Sequence, residues 1–261
     1  RQEGRSYKSG PQFVAEARDM APTYYVGTSG WHYRHWQGPY YPHDLAPDRW
    51  LGFYAREFNS VEINASFYRL PTRAAVRAWR AAVPSNFRFA LKASRYITHM
   101  KKLRAPRTSL RALLGVARAL GAQCGPLLFQ LPPHWGCDVK RLAAFLDALP
   151  RGHEFAFELR DPSWHQPRVY ALLRRHNAAF CIYQLAGFES PHIITADVAY
   201  LRLHGPTAQA YGGSYTDHAL AAWAAEIRGW QRLKRVYVYF DNDEAGYAVR
   251  NARTLRRLLA G

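Results

Sequence analysis

Glu62, Glu158 and His204 are the residues of this chain whose types and settings suit proton transfer. Each stands at the C-terminal end of a short β-branched or aromatic run: Ser60–Ile63, Glu154–Glu158 and Val198–His204. Two carboxyl groups can divide the roles of general acid and base when neighbouring charges push their pKa values apart. An imidazole changes charge near neutral pH and can pass a proton between groups. Cations close similar runs: Lys92 ends Phe87–Lys92, Arg160 lies two residues past Glu158, and Arg202 lies two before His204. Such groups hold an anion, and Gln130 and Asn242, at or just past the ends of two further runs, are expected to orient it. Glu62, Glu158 and His204 with Asp241 or Asp243 also form a conceivable metal set. The cations gathered at the same place and the lack of His-x-His or His-Glu-x-x-His spacing argue against it, so we expect no metal and no cofactor.

A second group of residues suits binding more than chemistry. Arg95, Lys101, Lys102, Arg104 and Arg107 follow the Lys92 run with no acidic residue among them. Aromatics stand in the other connections, including Trp31, Tyr33, Trp36, Tyr68, Trp164, Tyr211 and Tyr215. Cations beside flat apolar surfaces neutralise phosphates and stack on bases, so these residues are candidates for nucleic-acid contact. A phosphorylated sugar or nucleotide fits the same chemistry, with Trp31, Asn64 and Tyr68 as further substrate contacts. His32 and His35 are three apart but lie in an aromatic stretch with Gly38 and Pro39. That stretch reads as loop, where aromatic and histidine side chains act as anchors. No Gly-x-Ser-x-Gly elbow appears.

The elements that must position these residues alternate strictly. Strand-like runs at Tyr24–Gly27, Ser60–Ile63, Phe87–Lys92, Gly125–Gln130, Glu154–Glu158, Ala179–Tyr183, Val198–His204 and Arg235–Phe240 are interleaved with Ala/Leu/Arg-rich helical runs. The helices are predicted around 47–58 and over 72–82, 108–120, 139–149, 166–176, 217–230 and 245–259; the connection through Gly187 and Pro191 is irregular. Each unit is about thirty residues, as a βα repeat requires. Alternation calls for a parallel sheet clothed in helices, and eight units in this length predict a (β/α)8 TIM barrel, an α/β fold. Gly27-Thr28-Ser29-Gly30 lacks the dinucleotide spacing that would favour an open doubly wound sheet.

Strand parity then aims the chemistry. Glu158 and Arg160 share a face with Ala156, and Lys92 shares one with Ala90, whereas Phe155, Phe157, Phe89 and Leu91 take the other. Small residues suit the crowded axis, so the charged groups are expected to point into the mouth of the barrel, paired with one another or with a ligand.

Composition bounds the rest. The 261 residues are 48% hydrophobic, enough for a large core, with no apolar run long enough to span a bilayer. Residues 1–22 are expected to be a loosely held extension and 23–261 the barrel. The first twenty lack the apolar core of a secretory signal, and the chain begins with Arg1, so the native start is expected upstream. Cys124, Cys137 and Cys181 are too dispersed for a disulfide framework or zinc site, which suggests a reducing, cytoplasmic setting. A net charge of +17 favours anionic partners, small or polymeric, over a membrane.

Several of these same stretches carry a resemblance. Val26-Gly27-Thr28-Ser29-Gly30-Trp31, Val61-Glu62-Ile63-Asn64, Ser66-Phe67-Tyr68 and Phe89-Ala90-Leu91-Lys92 with Ile97-Thr98-His99 come first. Gly125-Pro126-Leu127-Leu128-Phe129-Gln130-Leu131-Pro132-Pro133, Phe157-Glu158-Leu159-Arg160, Arg202-Leu203-His204-Gly205 and Tyr239-Phe240-Asp241-Asn242-Asp243 follow. In this order they resemble the YecE-like family of unknown function. The resemblance implies a TIM barrel from about Tyr24 onward and no established activity. Family members often carry Asp at the end of the sixth strand, where this chain has Gln184. Three readings follow: an enzyme acting on a phosphate-bearing ligand, a non-catalytic nucleic-acid binder, and a carbohydrate-active enzyme that uses its paired glutamates.

Overall fold

β-branched and aromatic runs suit a pleated, buried surface, and they form the strands. The computed structural model describes residues 21–261, so the first twenty residues of the expected extension lie outside the described residues. The strands are β1 Thr23–Thr28, β2 Ser60–Ile63, β3 Arg88–Lys92, β4 Cys124–Leu131, β5 Phe155–Leu159, β6 Ala179–Leu185, β7 Phe188–Glu189, β8 Val198–Leu203 and β9 Arg235–Phe240. All but β7 run parallel, in the order β1-β9-β8-β6-β5-β4-β3-β2. The helices are α1 Trp50–Tyr54, α2 Arg73–Ala82, α3 Pro106–Leu120, α4 Val139–Asp147, α5 Pro167–Arg175, α6 Asp217–Gly229 and α7 Tyr247–Ala260. The fold is a (β/α)8 TIM barrel.

Two connections depart from the regular unit. The helix predicted around 47–58 shrinks to a 3-10 turn and the five residues of α1. Between β6 and β8 there is no helix; β7 folds back antiparallel on β6 instead.

The barrel closes at β1 and β2 largely through side chains. Backbone pairing reaches only the strand ends, where the amide of Gly30 donates to the Glu62 carbonyl at 2.8 Å. Lower down, Asn59 Oδ1 accepts from the Val26 amide at 3.2 Å and its Nδ2 donates to the Tyr24 carbonyl at 2.8 Å. The Tyr54 hydroxyl accepts from the Thr28 amide at 2.9 Å and donates to the Ser60 carbonyl at 3.0 Å. Gly27 permits this approach, since a Cβ there would lie 2.0 Å from the Ser60 carbonyl oxygen.

Side chains alternate across the sheet into two apolar layers. Phe89, Leu91, Phe129, Phe155 and Phe157 face the helices, and Ala90, Leu128, Ala156, Ala179 and Cys181 face the axis. The expectation that small residues face the axis holds at Ala90 of β3 and Ala156 of β5, while β6 adds Tyr183 to its Ala179 and Cys181. On the opposite wall Tyr25, Tyr200, Tyr237 and Tyr239 project inward. Their bulk compensates for the alanines, as close packing demands.

Candidate functional site

The axial layer above these tyrosines is built on Arg202. Its guanidinium is fully buried and grips Glu62 with both forks, Nε to Oε2 at 3.0 Å and Nη2 to Oε1 at 2.8 Å. Nη1 donates to Glu158 Oε2 at 2.7 Å and Nη2 to Asp241 Oδ2 at 3.0 Å. Tyr200 and Ser29 add hydroxyl donors to Glu62, each at 2.6 Å. On the second oxygen of Glu158, Arg160 Nε donates at 2.5 Å. Strands β2, β5 and β8 and the segments beyond β1, β5 and β9 thus contribute to one ion cluster. Burial opposes the charge on Glu158, but Arg160 and Arg202 overcome it and hold its carboxyl well below the usual range. Asp241 is lowered against the same cost by His204 and Arg202.

His204 is fully buried, and burial with Arg202 lowers its pKa, Asp241 pulling the other way. Arg202 Nη1 lies 3.3 Å from Nε2 and can only donate, which assigns the ring proton to Nδ1. Nδ1 stands 3.0 Å from Asp241 Oδ2 without hydrogen-bond alignment. Glu62, Glu158 and His204, the expected acid–base set, do converge, but all three are closed off from solvent. Arg202, expected to touch ligand, is equally enclosed. It is spent holding carboxylates.

Lys92 is different. Its side chain enters the mouth from the end of β3, where the residue is 7% exposed, and Nζ rests 4.6 Å from the centre of the Phe67 ring. No carboxylate oxygen among the described residues comes within 4.0 Å of it. Burial first, then the Arg202 charge, lowers its pKa to about 8, with Glu62, Glu158 and Asp241 resisting. His99, beyond β3, is held near 4 by burial and by the charges of Lys92, Arg160 and Arg95. The side of the mouth over β3 and β5 is therefore positive, with Asp241, just past β9, acting on Lys92 in the opposite sense.

The remaining expected contacts divide. Gln130 lies beside Glu158 in the β4–β5 register and is nearly buried, its Nε2 3.4 Å from the Leu131 carbonyl. Asn242 is fully buried and donates to Gly213 O and Asn251 Oδ1, both at 2.8 Å, so it ties loops together. Trp31, Asn64 and Tyr68 meet in a cavity of about 500 Å³ with Tyr33, Ile63 and Trp79, beside the mouth. His35 contacts Asp243 rather than a ligand site, at 3.2 Å. Gln184 donates to Glu189 across the β6–β7 hairpin. Sequence reasoning did not assign roles to Ser29, Tyr200 and His99; the signal was parity for Tyr200, two residues before Arg202 on β8.

Among the described residues, no group of three or more His, Cys, Asp or Glu side chains is arranged to hold a metal ion. Arg202 occupies the centre that a cation would need. No described helix is long and apolar enough to cross a membrane.

The rim carries the basic loop. Arg95, Lys101, Lys102, Arg104 and Arg107 lie between β3 and the first turn of α3, and Lys101 and Lys102 approach the rings of Tyr96 and Trp135. The large exposed hydrophobic residues are Tyr68, Tyr96, Met100, Phe188 and Tyr211. Among the described residues, four of these stand on connections past the C-terminal ends of strands, and Phe188 stands in the β7 hairpin past β6.

A barrel with its polar cluster at the C-terminal strand ends belongs to the TIM-barrel class, whose active sites lie at that face. The model of the family described as protein of unknown function DUF72 matches residues 25–261, and the chain belongs to that family. It is 34% identical to UPF0759 protein YecE of Escherichia coli over 42% of this chain. That match spans only 41% of the curated relative's length. UPF0759 protein YunF of Bacillus subtilis is 24% identical, covering 90% of this chain and 94% of its own. A DUF72 family protein from Thermotoga maritima superposes with a TM-score of 0.83 at 27% identity, over 92% of this chain and 100% of that one. One from Enterococcus faecalis gives 0.79 at 21% identity, over 92% and 96%, and so speaks to the fold alone.

Proposed function

We propose that this protein is an enzyme acting on a small phosphate-bearing ligand, whose anionic group sits between Lys92 and Arg160 at the barrel mouth. One observation carries the reading: the Lys92 ammonium is largely desolvated and has no anion of its own. Such a group costs several kcal/mol unless a partner arrives. Arg160 keeps 14% of its side chain exposed and turns only Nε to Glu158. Its terminal nitrogens remain for a ligand.

In this reading Glu62 and Glu158 position Arg202 and Arg160 rather than meet substrate. Asp241, whose side chain is 10% exposed, and His204 behind it, with Nδ1 3.0 Å from Oδ2, form the proton-handling pair. Titration calorimetry with inorganic phosphate, pyrophosphate and AMP tests the site. Arg160→Ala and Lys92→Met are each expected to weaken binding at least tenfold, as loss of a charged hydrogen-bond donor does. Unchanged affinity in both variants would place the anion elsewhere.

A second reading has a specific observation behind it. Exposed Tyr68, Tyr96 and Tyr211, with Lys101, Lys102 and Arg104, offer stacking faces and cations around the same mouth. They support single-stranded nucleic acid as a partner.

A further inference from the structure

We propose that Lys92 is an amine nucleophile that forms a Schiff base with an open-chain sugar phosphate or another phosphate-bearing aldehyde or ketone. The inference rests on the anion-site reading above and names its substrate class.

Composition bears on it first. The chain has six lysines among its 36 Lys and Arg residues, so guanidinium is its usual cation. At the axis, Arg160 and Arg202 already hold carboxylates. Lys92 is the cation there that meets none, and lysine alone of the two side chains can shed its proton and attack carbon.

Geometry bears on it next. Nζ lies over the Phe67 ring in a largely buried setting, and burial with the Arg202 charge favours the neutral amine against the pull of Glu62, Glu158 and Asp241. With a pKa near 8, about a tenth of Lys92 is free amine at pH 7, against well under 0.1% for an ordinary lysine. Arg160 is placed to hold the phosphate of a compound whose carbonyl faces Nζ.

The step balances without another reactant. Nζ forms a bond to the carbonyl carbon, and the oxygen becomes a hydroxyl. Water then leaves, carrying one proton from the nitrogen and one from solvent, and an iminium remains. Three carboxylates formally face two guanidinium groups in the cluster, so one negative charge is available to the iminium.

The test uses the whole protein at pH 7 with cyanoborohydride and, in separate arms, ribose 5-phosphate, dihydroxyacetone phosphate or neutral butanal. Reduction of an imine adds the mass of the carbonyl compound less one oxygen, and peptide mass spectrometry locates it. The expected result is a single adduct on Lys92, formed at least tenfold faster than on any other lysine in all three arms. The phosphate compounds are expected to react faster than butanal. Adducts spread evenly over Lys101, Lys102, Lys140 and Lys234, or none at all, would overturn the proposal. Because the readout compares lysines within the unaltered protein, it does not depend on a variant that folds. Lys92→Arg separates the two readings: retained phosphate binding with no adduct is the expected outcome. If the unaltered protein binds phosphate yet gives no Lys92 adduct, the amine chemistry fails and the anion site stands.

Discussion

Lys92 gives up most of its water on folding and gains an aromatic face in exchange, not a carboxylate. Its folded pKa of about 8 lies below the value of about 10.4 expected in the unfolded chain. Between those values the unfolded state binds more protons, so stability rises with pH across that window. Lys92→Met is expected to stabilise the protein at pH 7 by up to about 3 kcal/mol. The advantage should shrink as pH climbs from 8 toward 10.4, which urea unfolding at pH 7 and pH 10 would reveal. A variant no more stable than the parent at pH 7 would mean that the ammonium is well solvated. The inward direction of Lys92 was readable, because β-strands alternate with period two and Ala90 marks the axis. Its isolation was not. Pairing depends on Glu62 and Glu158 turning to Arg202, and Arg202 is 140 residues from Glu62.

At the scale of the element, the seam between β1 and β2 is the fragile part of the barrel. Elsewhere each strand is joined by a ladder, but here the Tyr54 hydroxyl bridges backbone groups of both strands, and the Asn59 side chain, just before β2, bonds Tyr24 and Val26 of β1. Tyr54→Phe leaves the Thr28 amide and the Ser60 carbonyl without that partner in a buried site. The expected cost is about 2–4 kcal/mol, measured as a shift in the urea midpoint. A cost under about 0.5 kcal/mol would show that the seam re-pairs by itself. The strands were legible as runs of Val, Ile, Tyr and Phe, and α2 to α7 as Ala/Leu/Arg runs. The hairpin of β7 was visible only as an irregular stretch, since two residues carry no periodicity.

For the molecule as a whole, a charge of +17 and a basic rim make polyanion binding a measurable property. If single-stranded oligonucleotides engage Arg95, Lys101, Lys102, Arg104 and Arg107, log affinity should fall with log salt at a slope of about −3.5. Replacing Lys101, Lys102 and Arg104 with glutamine should flatten that slope by about 2, measured by fluorescence anisotropy. A slope near zero would leave only small ligands at the mouth. The amino-acid order alone determined the barrel, because alternating periods of 2 and 3.6 admit few architectures. It also determined that Glu62, Lys92, Glu158, Arg202 and His204 share one end, since each closes a parallel strand. Only the tertiary structure decided which of them are free. Enclosure and partnership are set by pairs far apart in the chain, and local periodicity holds no record of how side chains divide a cavity among themselves.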